Sequence, residues 1–375
     1  MASKVFFTDF RTYSKISLPE KFTKFIEAAG LGNYNFKKKY VAIKMHFGEM
    51  GNLAYLRHQY ALALCEFVKK RGGRPFLTDS NTLYPGSRSN GLDHLSTAVA
   101  NGFNQASMPG YHVVIADGIK GTDEVAVPVE GAKYCPKPLI GRAVVDADII
   151  ISLNHFKGHE SACFGGALKN LGMGCGSRAG KKEMHSSMKP KYDSTKCIGC
   201  KKCAASCAHE VQSFKNGKMV FDENKCAGCG RCLEVCPSGA LSLHSGDDTI
   251  LLCRKIAEYS KAVIAGKPNF HITLVCDVSP FCDCYGSNDT PIINDIGMFA
   301  SSDPVAIDHA CVDAVNKAKA CEISHLTDEG HGCFKHDNLK NNHPTTDWKD
   351  QLEYAQSLGI GSMDYELETF QPKAL

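Results

Sequence analysis

The chain has 375 residues, 43% hydrophobic and 22% charged, with a formal net charge of +3. This is ordinary globular composition, which excludes a disordered or low-complexity chain, and so balanced a charge gives no expectation of a nucleic-acid partner. No uncharged apolar run reaches the roughly 18 residues of a membrane helix and the first ten residues lack the apolar core of a secretory signal, so we expect no membrane segment and a cytoplasmic, anaerobic setting.

In chain order, Tyr40-Val-Ala-Ile-Lys-Met45 reads as a strand and 53–70 as a helix ending at Arg71-Gly72-Gly73. A short strand at 74–78, a helix at 91–102 and a strand at 112–116 follow. Then come a helix over 137–144, a strand over 148–153 and a helix over 160–171. Beyond residue 246 we expect helices at 249–265, 303–318 and 347–357 and a strand at 271–275. Asp303 fits the N-cap of the helix opening at Pro304. Apolar β-branched strands alternating with helices point to an α/β fold, a mostly parallel sheet covered by helices.

Between these halves lie eight of the nineteen cysteines. They form two runs, Cys197-x2-Cys200-x2-Cys203-x3-Cys207 and Cys226-x2-Cys229-x2-Cys232-x3-Cys236-Pro237. This is the bacterial ferredoxin spacing, in which three thiolates of each run hold one cubane and the fourth reaches the other. Two 4Fe–4S clusters are therefore expected, one on Cys197, Cys200, Cys203 and Cys236, the other on Cys226, Cys229, Cys232 and Cys207. Zinc sites favour paired Cys-x-x-Cys units instead of triplets, and disulfides need an oxidising compartment. Each oxidised cubane with its thiolates carries about −2, which brings the loaded protein near neutrality. Ala208 stands where the first run usually has Pro. We place an inserted small α+β ferredoxin-like domain at 190–245 and a discontinuous α/β domain at 1–189 and 246–375.

Ligands of α/β sheets collect at the carboxyl ends of strands, and polar residues follow each expected strand. These are His46 and Glu49; Asp79, Asn81 and Arg88; Asn154, Lys157 and His159; Cys276 and Asp277. Lys157 and His159, placed before an expected helix start, together with Lys169 and Asn170, suit an anionic group; Asp79 and Arg88 join this binding set. His46 and His159 are candidates for proton transfer. Gly172–Lys181 fits neither a phosphate loop nor a dinucleotide fingerprint and reads as a flexible lead into the cysteine module. Cys282-Asp-Cys284 suits a metal or a reactive thiol pair, and His325, His331, Cys333, His336 and His343 gather near the C-terminus.

The motifs Lys44-Met-His46-Phe-Gly48-Glu49, Thr78-Asp79-Ser-Asn81-Thr82, Phe156-Lys157-Gly-His159, Leu168-Lys169-Asn170-Leu171-Gly172, Cys282-Asp283-Cys284 and Asp303-Pro304-Val-Ala-Ile-Asp308 are spread over residues 40–310. In them the chain resembles the DUF362 family of iron–sulfur proteins. The resemblance implies the cluster ligands and one site lined by these motifs. We expect a ferredoxin-linked oxidoreductase that passes electrons from two clusters to a small anionic substrate, or to a flavin or other organic cofactor, in the α/β domain. The alternatives are a non-catalytic electron relay that docks a redox partner protein, and a metallocofactor assembly factor using Cys282 and Cys284. A homodimer is the general prior for a soluble oligomer.

Overall fold

In the computed structural model the described residues are 2–12, 16–207, 209–242, 247–328 and 336–371. Ala208, His331 and Cys333 lie outside them. The architecture is α/β. Eight strands make the central sheet: β1 Ser3–Thr8, β2 Tyr40–Lys44, β3 Arg74–Asp79, β4 Val113–Ile115, β5 Ile149–His155, β6 Asn269–Val275, β7 Gly297–Ser301 and β8 Tyr365–Thr369. Their order is β8-β1-β7-β6-β5-β2-β3-β4. All neighbours are parallel except β7, which runs antiparallel to both β1 and β6.

Alternation along the strands divides the core into two faces. Val41, Ile43, Ile149, Ile151 and Leu153 pack against the helices Leu18–Ala28 and His58–Lys70. Ala42 and Ile150 face the other way, toward Leu171, Leu252, Ile256 and Tyr259 on the helices Ala167–Cys175 and Asp247–Ile264. Those two helices touch backbone to side: a Cβ on Gly172 would sit 2.2 Å from the Ile256 carbonyl oxygen. A third cluster packs Val5 and Phe299 under the helices Pro304–Lys317 and Trp348–Ser357.

Four expectations fail for local reasons. Residues 137–144 hold the strand Leu139–Gly141 and only then a short helix, Arg142–Asp146, because Leu139–Gly141 pairs with Glu124–Ala126. Residues 160–171 begin as the hairpin Lys157–His159/Cys163–Gly165, and the helix starts at Ala167. Lys157 and His159 are thus strand residues and not neighbours of a helix N-terminus. Gly172–Lys181 is no flexible lead, since its glycines lie in or between the helices Ala167–Cys175 and Arg178–Met184, where small size permits close packing. The helix expected from 53 starts at His58.

Residues 191–242 stand apart as a small unit. It has two ribbons, Lys191–Tyr192/Leu241–Ser242 and Gln212–Lys215/Lys218–Phe221, and two one-turn helices, Lys202–Ala205 and Arg231–Glu234. Its core is Cys203, Met219, Cys232 and Leu241. Among the described residues no helix is long and apolar enough to cross a membrane.

Candidate functional site

Strand order reverses between β5 and β2, so the loops after these strands diverge and leave a crevice at their carboxyl ends. A cavity of about 420 Å³ fills it, within the range of small-molecule sites. Its floor carries Lys44, His46, Asp79, Arg88, His155, Lys157, His159, Lys169 and Asn170; Cys282, Cys284 and Tyr285 close one side. Its roof is more apolar and includes Cys229, Gly230, Arg231, Leu233 and Leu241 of the small unit. The seven residues put forward for anion binding and proton transfer, His46, Asp79, Arg88, Lys157, His159, Lys169 and Asn170, all line this one space, whereas Glu49, Asn81, Asn154 and Asp277 do not.

Buried charges on the floor are paired, as burial requires. Lys44 Nζ lies 2.9 Å from Asp79 Oδ1, with both side chains buried, and a Cβ on Gly174 would fall 2.4 Å from that ammonium. Burial works to raise Asp79, but Lys44 and His94 overcome it and hold the carboxyl well below its usual range. Arg88 donates from Nε to Glu49 at 3.0 Å and from NH2 to the Tyr84 hydroxyl at 3.1 Å. Lys157 Nζ and His155 Nδ1 each stand 2.8 Å from Asp283 Oδ2. Burial opposes them, yet the neighbouring His155 and Lys157 keep Asp283 depressed. Asn170 is a cross-link: its amide donates to the Lys44 carbonyl and to Asn154 Oδ1, and its oxygen accepts from Lys44 Nζ. It thereby ties β2 to β5.

The two histidines singled out differ. His46 accepts the Gly48 N–H at Nδ1, 2.9 Å; burial and the Arg88 charge hold it well below the usual histidine range, so it is neutral. His159 accepts the Ser161 and Ala162 N–H groups at Nδ1, 3.0 and 3.1 Å, and so presents Nε2 to the cavity side. It hydrogen-bonds to Cys282, whose sulfur also receives Lys169 Nζ at 3.4 Å. A hydrogen bond from Cys284, acting against burial and joined by Lys169 and His159, holds the Cys282 thiol well below its ordinary range. The same bond, with burial, pushes Cys284 up.

Lys181 and His185 carried no signal in the sequence, yet both line the cavity. Burial lowers Lys181 to about 8 against the pull of Asp117 and Asp79, and its Nζ donates to the Gly176 carbonyl at 2.6 Å. His185 is lowered to about 3 by burial, and its Nδ1 has no hydrogen-bond partner. Among the described residues, the C-terminal histidines His325, His336 and His343 do not line the cavity. His325 bonds Asn342, His343 bonds the Pro280 carbonyl, and His336 is exposed. Asp303 caps its helix through Val305 N and Ala306 N.

In the small unit, Cys197, Cys200, Cys203 and Cys236 ring one small cavity, and Cys207, Cys226, Cys229 and Cys232 ring another. The loops repeat each other. Gly199 and Gly228 have φ of +67° and +72°, Lys201 and Gly230 +61° and +79°, and a one-turn helix follows each. Neither early glycine tolerates a Cβ, which would meet a carbonyl oxygen at 2.3 Å or 2.0 Å. Among the described residues no three His, Cys, Asp or Glu side chains converge on a single ion. Ligands of a cubane surround a body several atoms wide, so they ring a space and do not meet at a point. The unit docks through Arg231, whose guanidinium lies 4.8 Å from the ring centroids of both Tyr84 and Tyr285.

A family described as a domain of unknown function, DUF362, matches residues 41–313. Among solved structures, the chain is similar to a Thermotoga maritima protein determined by the Northeast Structural Genomics Consortium, at 14% identity and a TM-score of 0.37, covering 72% of this chain and 51% of that one. It is similar at 13% identity and a TM-score of 0.36 to the lactate racemase apoprotein from Thermoanaerobacterium thermosaccharolyticum, covering 73% of this chain and 51% of that one. The chain thus spans about half the length of each. No curated protein matches it.

Proposed function

This chain belongs to the DUF362 family, and from its site we propose that it is an iron–sulfur redox protein. In this reading residues 190–245 are a ferredoxin-type domain inserted into the discontinuous α/β domain. It serves a small anionic molecule, substrate or organic cofactor, bound in the cavity of the α/β domain. The observation that carries the reading is the shared wall: Cys229, Gly230 and Arg231 belong at once to the second cysteine ring and to the cavity. The fit of the cysteine rings to cubanes rests on their four-thiolate sets and on the repeated left-handed glycines, which leave backbone close to the ring. Bound there, 4Fe–4S clusters supply single electrons at low potential.

The chain's own residues then have distinct tasks. Cations at Lys157 and Lys181 favour an anionic group, and Leu233 and Leu241 cover the ligand's apolar part and exclude water. His46 and His159 hold protons at Nε2 for transfer. The outer ring faces solvent: Cys200 is exposed, and Ile198, 67% exposed, sits among Lys196, Lys201 and Lys218. An apolar residue rimmed by lysines suits an acidic electron-carrier protein, so electrons enter at Cys197–Cys203 and leave at Cys229. The test is anaerobic purification with iron, sulfide and released organic molecules assayed. About eight irons per chain, with a reduced-cluster spectrum that changes when the cavity is occupied, is the expected result. A folded, iron-free protein, or spectra blind to Lys157→Met and Lys181→Met, would remove the reading.

A further inference from the structure

The arrangement around Cys282 differs from that of the other buried thiols. Cys65, Cys135, Cys175, Cys253 and Cys311 are raised by burial, the ordinary condition of an inert core cysteine. Cys282 is equally buried, at 1% exposure, yet a lysine ammonium stands 3.4 Å from its sulfur and it borders the cavity. A second thiol, Cys284, lies within hydrogen-bond reach and borders the same cavity. Between them Asp283 is clamped by Lys157 and His155, and its carbonyl accepts the Glu49 N–H at 3.0 Å, so the turn carrying both sulfurs is held rigid. Lysine beside the sulfur opposes a metal cation there and favours a thiolate.

We propose that Cys282 and Cys284 form a redox dithiol that reduces a small anionic disulfide bound in the cavity. The Cys282 thiolate attacks one sulfur of R–S–S–R′, forming the Cys282–S–S–R bond. R′–S⁻ departs with the bonding pair and takes a proton from water. Cys284 loses its proton and attacks Cys282, the Cys282–Cys284 bond forms, and R–S⁻ leaves and takes up that proton. The substrate gains two electrons and the protein pair loses two. Two single electrons from the cysteine-ring domain, with one proton from water for Cys284, restore the Cys282 thiolate and the Cys284 thiol. Only this return step rests on the function proposed above; the exchange itself needs no cluster.

Dithiodiglycolate, a dianionic disulfide, is the probe, used anaerobically on the purified cluster-loaded protein with peptide mass analysis. In the wild type, the peptide carrying both cysteines is expected to lose two hydrogens, with thioglycolate released. Cys284→Ser is expected to retain a thioglycolate adduct on Cys282. Lys169→Gln is expected to slow adduct formation in the Cys284→Ser background roughly ten-fold at neutral pH and to move its pH midpoint upward. A folded wild type without oxidation at this pair, or Cys284→Ser without the adduct, would overturn the proposal. For the return step, clusters are reduced, excess reductant is removed and the disulfide is added. Reoxidation in the wild type but not in Cys282→Ser supports the route. Oxidation of the pair with clusters left reduced overturns the route alone, and absence of iron shows instead that the reading of the cysteine rings has failed.

Discussion

Lys44 and Asp79 illustrate how a residue at a strand end can be structural and functional together. Each is buried, each neutralises the other, and Asn170 fixes the ammonium from a third element. Lys44→Met strands a buried carboxylate and should cost about 3–5 kcal/mol, whereas Lys44→Met with Asp79→Leu should recover much of it, both read by denaturant unfolding. Lys181 offers a pH test. Its folded pKa, about 8, lies below the ordinary 10.5. Between these values the unfolded chain binds more protons, so stability rises with pH across that window. Affinity for an anion in the cavity runs the other way and falls as pH passes 8. Lys181→Met should abolish that fall, as titration calorimetry would show. Lys181 and His185 left no trace in the sequence because both reach the cavity from the helical segment after Gly176, remote from any strand end.

At the scale of elements, the helix Ala167–Cys175 is held from a distance. Asp308, on the helix Pro304–Lys317, accepts the Ala167 and Leu168 N–H groups at 2.7 and 2.9 Å. Burial pushes this carboxyl up to about 7 in spite of those bonds. Asp308→Ala should destabilise the protein by about 1–2 kcal/mol, as for a lost helix cap; Asp308→Asn, which keeps an accepting oxygen without a charge to bury, should cost less, again by denaturation. Such a cap is invisible to local patterning, which is why the start of this helix was misplaced. The run Cys163–Leu168, without a charged residue, gave no sign that its first residues pair in a hairpin. The parallel strands were legible because Val41–Ile43 and Ile149–Ile151 are unbroken apolar runs. Strand β7, Gly-Met-Phe-Ala-Ser, has little β propensity and takes its form from its neighbours. The N-terminal helix carries a readable signal in the capping box Ser17-x-x-Glu20.

At the scale of the molecule, the two cysteine quartets grouped by spacing line two separate small cavities, because both runs lie within one short stretch of chain. Their placement over the sheet was not legible, since it depends on Arg231 lying between two tyrosines from distant loops. Arg231→Ala should leave iron content unchanged, weaken this contact by roughly 0.5–2 kcal/mol and raise hydrogen exchange across 226–232. The unit is also tethered at both ends to the chain that walls the cavity, the segment through His185 on one side and the helix Asp247–Ile264 on the other. Under the proposed function, delivery from the ring around Cys229 to the cavity would be a unimolecular event, indifferent to dilution of the protein. Only the encounter with an outside carrier would be second order, so added salt should slow arrival at the ring around Cys200 while leaving the internal step untouched.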